Sequence, residues 1–192
     1  RLQTYYQLLA EWQQKFNLVS NNSLNEAWNR HFEDSAQLYQ FIPQQAEIMY
    51  DLGSGAGFPG MVLAIMAAEK TPYLKVNLVE STSKKTLYLI AVREALGIDV
   101  NIINWTIDQI APQKADVITS RALASLDELL NYASPFCKSS TVCIFPKGRS
   151  YEEELKIARR RWNFDCRIED SISSSEGKIL ILTAISKRKG VK

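Results

Sequence analysis

Residues 51–60 read DLGSGAGFPG and hold the first groups able to do chemistry. Asp51 precedes Gly53, Gly55 and Gly57, and Phe58-Pro59-Gly60 leads into the apolar run MVLAIMAA. Alternate glycines allow positive φ and let a ligand come close to the backbone N–H groups. A plain tight turn would need only one of them. Further along, Glu80 closes the segment KVNLVE, and Arg121 follows ADVITS. An acid at a strand end can accept hydrogen bonds from ribose hydroxyls. An arginine after an apolar strand is costly to bury alone, so it is expected to face the carboxylate of a bound cofactor or an RNA phosphate. Two ligand classes compete for such a loop. Dinucleotide sites use GxGxxG, with a pyrophosphate at a helix N-terminus. Here the spacing is GxGxG behind an acid. That acid would repel a pyrophosphate and would welcome the amino group of a methionine moiety. Asp51, the glycine loop and Glu80 therefore suit S-adenosylmethionine.

The elements that must position these groups follow from periodicity. Tyr5, Leu8, Leu9, Trp12 and Phe16 recur at helical spacing. Asn21-Asn22-Ser23 is a break that offers caps, and a second helix is predicted over 24–39, closed by Pro43. From residue 47 strands and helices alternate: EIMYDL, the helix after the glycine loop, KVNLVE, a helix ending at Gly97, DVNIINW, ADVITS, a helix from Leu126, TVCIFPKG and the helix SYEEELKIARRRW. The segments FDCRIED and KILILTAIS close the series, with only the turn Ser171 to Gly177 between them. Alternation predicts a mainly parallel, doubly wound sheet, and the last pair predicts an antiparallel edge hairpin. The expected organisation is a helical extension over 1–43 and a ligand-binding domain over 44–192, together forming one compact domain.

Bulk properties narrow the classes. A chain of 192 residues favours one domain. No apolar run is long enough to span a bilayer, and no signal-peptide pattern opens the sequence, which begins at Arg1. The three cysteines, Cys137, Cys143 and Cys166, make no CxxC pair, and His31 is the single histidine. No metal site is expected from them, and a reducing, cytoplasmic setting is. The net charge is only +2, yet positive residues cluster at Lys84-Lys85, at Lys156 with Arg159, Arg160 and Arg161, and at Lys187, Arg188, Lys189 and Lys192. Each cluster reads either as a solvated helix face or frayed end, or as a local stripe for phosphates.

DLGSGAGFPG resembles the motif of the RsmG (GidB) family of small-subunit ribosomal RNA methyltransferases. SRALASL at 120–126, FNLVS at 16–20 and RHFEDS at 30–35 resemble further elements of that family, and the likeness runs from Tyr6 to Lys187. The resemblance implies a class I, Rossmann-like S-adenosylmethionine-dependent methyltransferase with a seven-stranded sheet. It implies N7 methylation of a guanine near position 527 of 16S rRNA, with the rRNA or the small ribosomal subunit as partner and no membrane. A monomer is expected. Carried over by motif, the cofactor residues are Asp51, Gly53, Ser54, Gly55, Gly57, Phe58, Glu80, the adenine-flanking pair Ile107 and Asp108, and Arg121 at the mouth of the site. Thr106 stands where a basic residue is usual, and Asp108 where glutamate is common.

Lys147, Arg159, Arg160 and Arg161 are candidates for RNA contact, with a simple turn as the other reading of Lys147-Gly148. Trp12 and Trp28 are expected in interhelical packing rather than as stacking platforms for bases. His31 reads as a capped or core histidine, or as a substrate-side group. No catalytic base is expected, because guanine N7 already presents a lone pair. Arg121 is the candidate for positioning and electrostatics. Two rival functions remain open at this level: a methyltransferase of another substrate class, and a noncatalytic RNA-binding module on the same fold.

Overall fold

The computed structural model describes residues 1–20 and 24–188. The capping stretch 21–23 and the last four residues, with Lys189 and Lys192, lie outside the described residues. The first helix, α1, spans Leu2–Gln13 and buries Tyr5 and Leu9. The predicted second helix is not one regular helix. It contains a π-helical stretch, Trp28–Glu33, an α turn, Asp34–Ala36, and a 3-10 turn, Gln37–Phe41. The changes of pitch rotate its face. Phe32 and Ser35 are buried, whereas Trp28 is 47% exposed and tilts over Phe32. Trp12 packs on Phe16 and Tyr88.

The sheet has seven strands. They are β1 (Ile48–Leu52), β2 (Lys75–Val79), β3 (Asn101–Ile103), β4 (Ala115–Thr119), β5 (Cys137–Lys147), β6 (Trp162–Asp170) and β7 (Lys178–Lys187). Their spatial order is β3-β2-β1-β4-β5-β7-β6. The pairs among β1 to β5 are parallel, and β7 lies antiparallel between β5 and β6. The hairpin is therefore present, with β6 at the edge. β5 begins four residues earlier than the apolar pattern suggested, at Cys137 rather than Thr141. DVNIINW contributes only three residues to its strand.

The crossover helices are α2 (Gly60–Lys70), α3 (Ser83–Leu96), α4 (Leu126–Ala133) and α5 (Tyr151–Ala158). α3 ends at Gly97, whose φ of +57° gives the left-handed turn predicted for it. One face of the sheet packs α1, α2 and α3 through Tyr5, Leu9, Met61, Leu63, Leu89 and Val92. The other packs α4 and α5 through Leu129, Leu130, Leu155 and Trp162. Fully burying such a side chain contributes roughly 1.5–3 kcal/mol. Strand order runs outward in both directions from the β1–β4 pair. In such sheets ligands bind outside the carboxyl ends of the strands at this reversal. The glycine loop leaves β1 there, and Arg121 leaves β4 beside it.

Candidate cofactor and acceptor sites

The glycine loop is held from below by Asp51. Register pairs Asp51 with Thr119 on the neighbouring strand. Thr119 Oγ1 donates to one carboxylate oxygen at 2.7 Å, and the Gly60 N–H donates to the other at 3.1 Å. Asp51 has no exposed surface. Burial pushes its carboxyl above the ordinary range, while Thr119 and Gly60 pull it back. This corrects the expectation that Asp51 meets the cofactor's amino group. Its carboxylate is occupied inside the fold and ties the end of β1 to β4 and to the first turn of α2.

Ser54 and Gly57 also face inward. Ser54 is buried, its N–H donating to the Val79 carbonyl and its hydroxyl to the Asp51 carbonyl. Gly57 has φ +94°, and a Cβ there would run into the Tyr5 hydroxyl. Tyr5 in turn donates to the Ala56 carbonyl at 2.5 Å, so α1 braces the loop. Gly55 is different. Its φ is +59°, and a Cβ would find no atom nearer than 3.9 Å. Its N–H donates to Glu80 Oε2 at 2.8 Å, and Glu80 Oε1 accepts from the Thr82 N–H at 2.8 Å. Glu80 thus links the loop to the end of β2.

A cavity of about 480 Å³ opens above this loop. Gly53, Gly55, Glu80, Ile107, Asp108 and Arg121 line it. Those six expected cofactor residues are brought together; Asp51, Ser54, Gly57 and Phe58 stand behind them. Sequence reasoning missed Leu123, which covers Gly53, and Trp105 and Lys85 on the rim. The signal for Leu123 lies inside SRALASL, two residues after Arg121. The open space over Gly55 and a carboxylate at the end of β2 fit a nucleoside-bearing cofactor of the size of S-adenosylmethionine.

A second cavity, of about 840 Å³, adjoins the first. Asn29, Arg30 and Asp34 form one wall, and Pro146 to Gly148 with the 171–177 turn form the other. Arg121, Ala122 and Leu123 line both cavities. Ala122 holds this wall with φ +54°, a left-handed conformation that costs a non-glycine residue on the order of 1 kcal/mol.

Arg121 stands at the junction with its guanidinium already engaged. It donates to Asp34 Oδ2 at 2.9 Å, to the Arg30 carbonyl at 2.8 Å and to His31 Nδ1 at 2.9 Å. Its planar group lies 5.3 Å from the centre of the Phe58 ring. Asp34 Oδ1 accepts from Gln37 Nε2 and Ser173 Oγ. The acid therefore joins three walls of the cleft: the irregular helical segment 28–41, the β4 loop and the β6–β7 turn. The partner that charge and burial demanded for Arg121 is thus Asp34 of the same chain. Phe58, expected in contact with cofactor, is 4% exposed and stacks on Tyr5 and His31 beneath that arginine.

His31 accepts from Arg121 at Nδ1, because a guanidinium only donates. Its proton then sits on Nε2, which is buried and has no hydrogen-bond partner among the described residues. Burial, then the charge of Arg121, lower its pKa from 6.5 to about 4, against a raising effect of Asp34. Between pH 6.5 and 4 the unfolded chain takes up this proton before the folded one does. The stability held at pH 7 should therefore drain away across that window. Chemical denaturation at pH 7 and at pH 4.5 should show a smaller loss for His31→Gln than for wild type. Equal losses would place His31 on the surface electrically.

Lys147 donates to the Ala124 carbonyl at 2.8 Å and to Glu154 Oε2 at 2.7 Å, with 8% of its side chain exposed. It lines the larger cavity but braces the 121–126 loop, so its charge is not open to a phosphate as expected. Arg159, Arg160 and Arg161 lie elsewhere. They follow α5 and precede Trp162, which pairs with Lys187 at the end of the sheet opposite the cavities. Arg161 is paired with Asp127 at 2.5 Å.

The strand order, the antiparallel β7 and the glycine loop at the reversal define a class I S-adenosylmethionine-dependent methyltransferase fold. Solved structures agree. A TehB-like SAM-dependent methyltransferase from Corynebacterium glutamicum superposes with a TM-score of 0.63 at 15% identity, covering 96% of this chain and 100% of that one. M. jannaschii TYW2, solved with AdoMet, gives 0.60 at 17% identity over 84% and 78%. The family model for GidB, rRNA small subunit methyltransferase G, matches residues 1–183, and the chain belongs to that family. Ribosomal RNA small subunit methyltransferase G of Paramagnetospirillum magneticum is 42% identical over 97% of this chain and 89% of its own length. The protein of the same name from Parvibaculum lavamentivorans is 41% identical over 94% and 80%.

Proposed function

We infer that the protein transfers a methyl group from S-adenosylmethionine to N7 of a guanine in 16S rRNA, in the region of position 527. The observation that carries this reading is the junction itself. In a member of this family, a nucleoside-sized cavity and a larger open cleft share the wall Arg121 to Leu123. A group held in one can reach a base presented in the other. A closed pocket would suit a small acceptor; the open cleft favours a polymer. Bound S-adenosylmethionine would supply an activated methyl group with its own leaving group. What the chain must do is hold and orient. Gly53 and Gly55 offer backbone to the cofactor, Glu80 offers its remaining lone pairs to ribose hydroxyls, and Ile107 with Asp108 flank the base. Arg121 and Asp34 form a pair with no net charge, and His31 beside them is neutral above about pH 4. The junction therefore adds no net positive charge where charge moves onto the purine.

Neutral guanine carries no proton at N7, so no side chain has to remove one. The partner can be naked rRNA, an assembly intermediate or the small subunit, in the cytoplasm. One chain carries both cavities, so a monomer suffices. The test is transfer of labelled methyl to 16S rRNA, with the product mapped by cleavage at N7-methylguanine. Label at a base other than guanine, or in protein only, would overturn the reading. Under single-turnover conditions with saturated binding, the rate is expected to stay nearly flat between pH 6.5 and 8.5. His31→Gln should impose no new pH dependence. A steep rise with pH that disappears in that variant would mean a general base exists.

A further inference from the structure

The basic residues that follow α5 do not line the cleft, although Arg159 is only five residues, about 7.5 Å of helix rise, past Glu154, which does. β6 runs nine residues from Trp162, at the far end, to Asp170, whose neighbour Ser171 begins the cleft-side turn. At about 3.3 Å per residue the two ends stand roughly 25 Å apart. Four cations gather at the far end: Arg159, Arg160, Lys187 and Arg188, all exposed. None of the four has a carboxylate partner among the described residues. The neighbours Lys156 and Arg161 do, in Glu153 and Asp127.

The unpaired four are nevertheless partly fixed. Arg159 lies over the Phe164 ring at 4.7 Å, and Lys187 over the Trp162 ring at 5.8 Å. The Arg188 side chain donates to the Trp162 carbonyl at 3.4 Å, and its N–H donates to the Arg161 carbonyl at 2.8 Å. Phe164 and Trp162 are themselves buried, so they are rigid supports. An aromatic face steadies a cation without neutralising it. A cation at the C-terminus of a helix also complements its dipole, which accounts for Arg159 and Arg160. It does not account for Lys187 and Arg188, which sit at the end of a strand.

We propose that Arg159, Arg160, Lys187 and Arg188 form a second RNA-contact surface, which takes backbone phosphates of a segment remote from the methylated base. The proposal rests on rRNA as substrate. Unneutralised, ordered charge is what phosphate contact requires, and it carries no sequence information. Base choice stays in the cleft, and the far surface fixes how a long RNA lies across the molecule.

The test compares two RNAs, full-length 16S rRNA and a short stem-loop around the target guanine that cannot reach past the cleft. The variant is R160Q/K187Q/R188Q; Arg159 is spared because it packs on Phe164. Filter binding should show roughly tenfold weaker binding of the long RNA, with its log–log salt dependence reduced by about two to three. Binding of the stem-loop should be unchanged. The charge-conserving variant R160K/K187R/R188K should bind both RNAs as wild type does. An equal loss on both RNAs, or no loss on either, would overturn the proposal. So would charge-dependent binding to anionic lipid vesicles in place of the long RNA. Methyl transfer is scored separately. Its absence in the wild-type protein on the stem-loop, on full-length 16S rRNA and on the small ribosomal subunit alike would refute the acceptor reading, while the binding comparison would still decide the far surface.

Discussion

Gly55→Leu is expected to lose S-adenosylmethionine binding by a hundredfold or more while keeping its fold. The position separates the two effects. A Cβ on Gly55 points into open space inside the smaller cavity, so the added side chain occupies the volume the cofactor needs. The left-handed backbone costs the leucine roughly 1–2 kcal/mol, which a folded domain tolerates. Filling the site costs about 2.7 kcal/mol for each hundredfold in affinity. Titration calorimetry reads the loss, and circular dichroism with a thermal melt reads the fold. Gly60→Ala makes the contrast. Its Cβ would stand 2.6 Å from Asp51 Oδ2 and against Leu78, inside the packed core, so that variant should lose stability first. Near wild-type affinity in Gly55→Leu would mean the cofactor does not lie on this loop. Tight NAD binding without S-adenosylmethionine binding would sink the cofactor assignment altogether.

Arg121→Ala should lower methyl transfer on the order of ten- to a hundredfold, as one charge-assisted contact of about 1.5–3 kcal/mol is lost. The loss has a second part. Asp34 would keep its charge with 16% of its side chain exposed and no cation beside it, and His31 Nδ1 would lose its donor. Asp34→Asn tests the same pair from the other side, leaving an unbalanced cation at the junction. That variant should lower kcat more than it weakens cofactor affinity, because Asp34 lines the acceptor cleft and not the smaller cavity. Arg121→Lys should restore little, since one ammonium cannot reproduce the planar fork that meets three acceptors. Rates within twofold of wild type in both Arg121→Ala and Asp34→Asn would remove the pair from the site.

The strands were legible in the sequence because apolar runs between turns report burial directly, and the glycine loop was legible because few other demands call for alternate glycines. The edge hairpin followed from the absence of a helix between FDCRIED and KILILTAIS. What the sequence could not show was pairing between distant segments. Asp51 looked ligand-facing because it adjoins the loop; only the register of β1 with β4 sets Thr119 against it. Arg121 was expected to face the cofactor carboxylate or an RNA phosphate; its partner within the fold is Asp34, 87 residues away, which no local pattern announces. The irregular pitch over 28–41 also escaped, since apolar residues three and four apart are compatible with several helical forms. The arginines at 159–161 were legible as charge, but their distance from the cleft depends on the direction of β6, which no local pattern encodes.

The strained segment Arg121 to Leu123 is one piece of chain with two occupants against it. If cofactor shifts it, the cleft behind it changes shape, and a base pressing from the other side must shift it back or onward. Such mutual influence is a coupling free energy, and it is reciprocal: whatever factor the cofactor imposes on RNA affinity, RNA imposes on cofactor affinity. Ala122, held at positive φ in the wall both ligands share, is the place where the backbone itself can tune that coupling. Glycine there would relax the backbone and soften the partition, so that each site would come to respond less to the filling of the other.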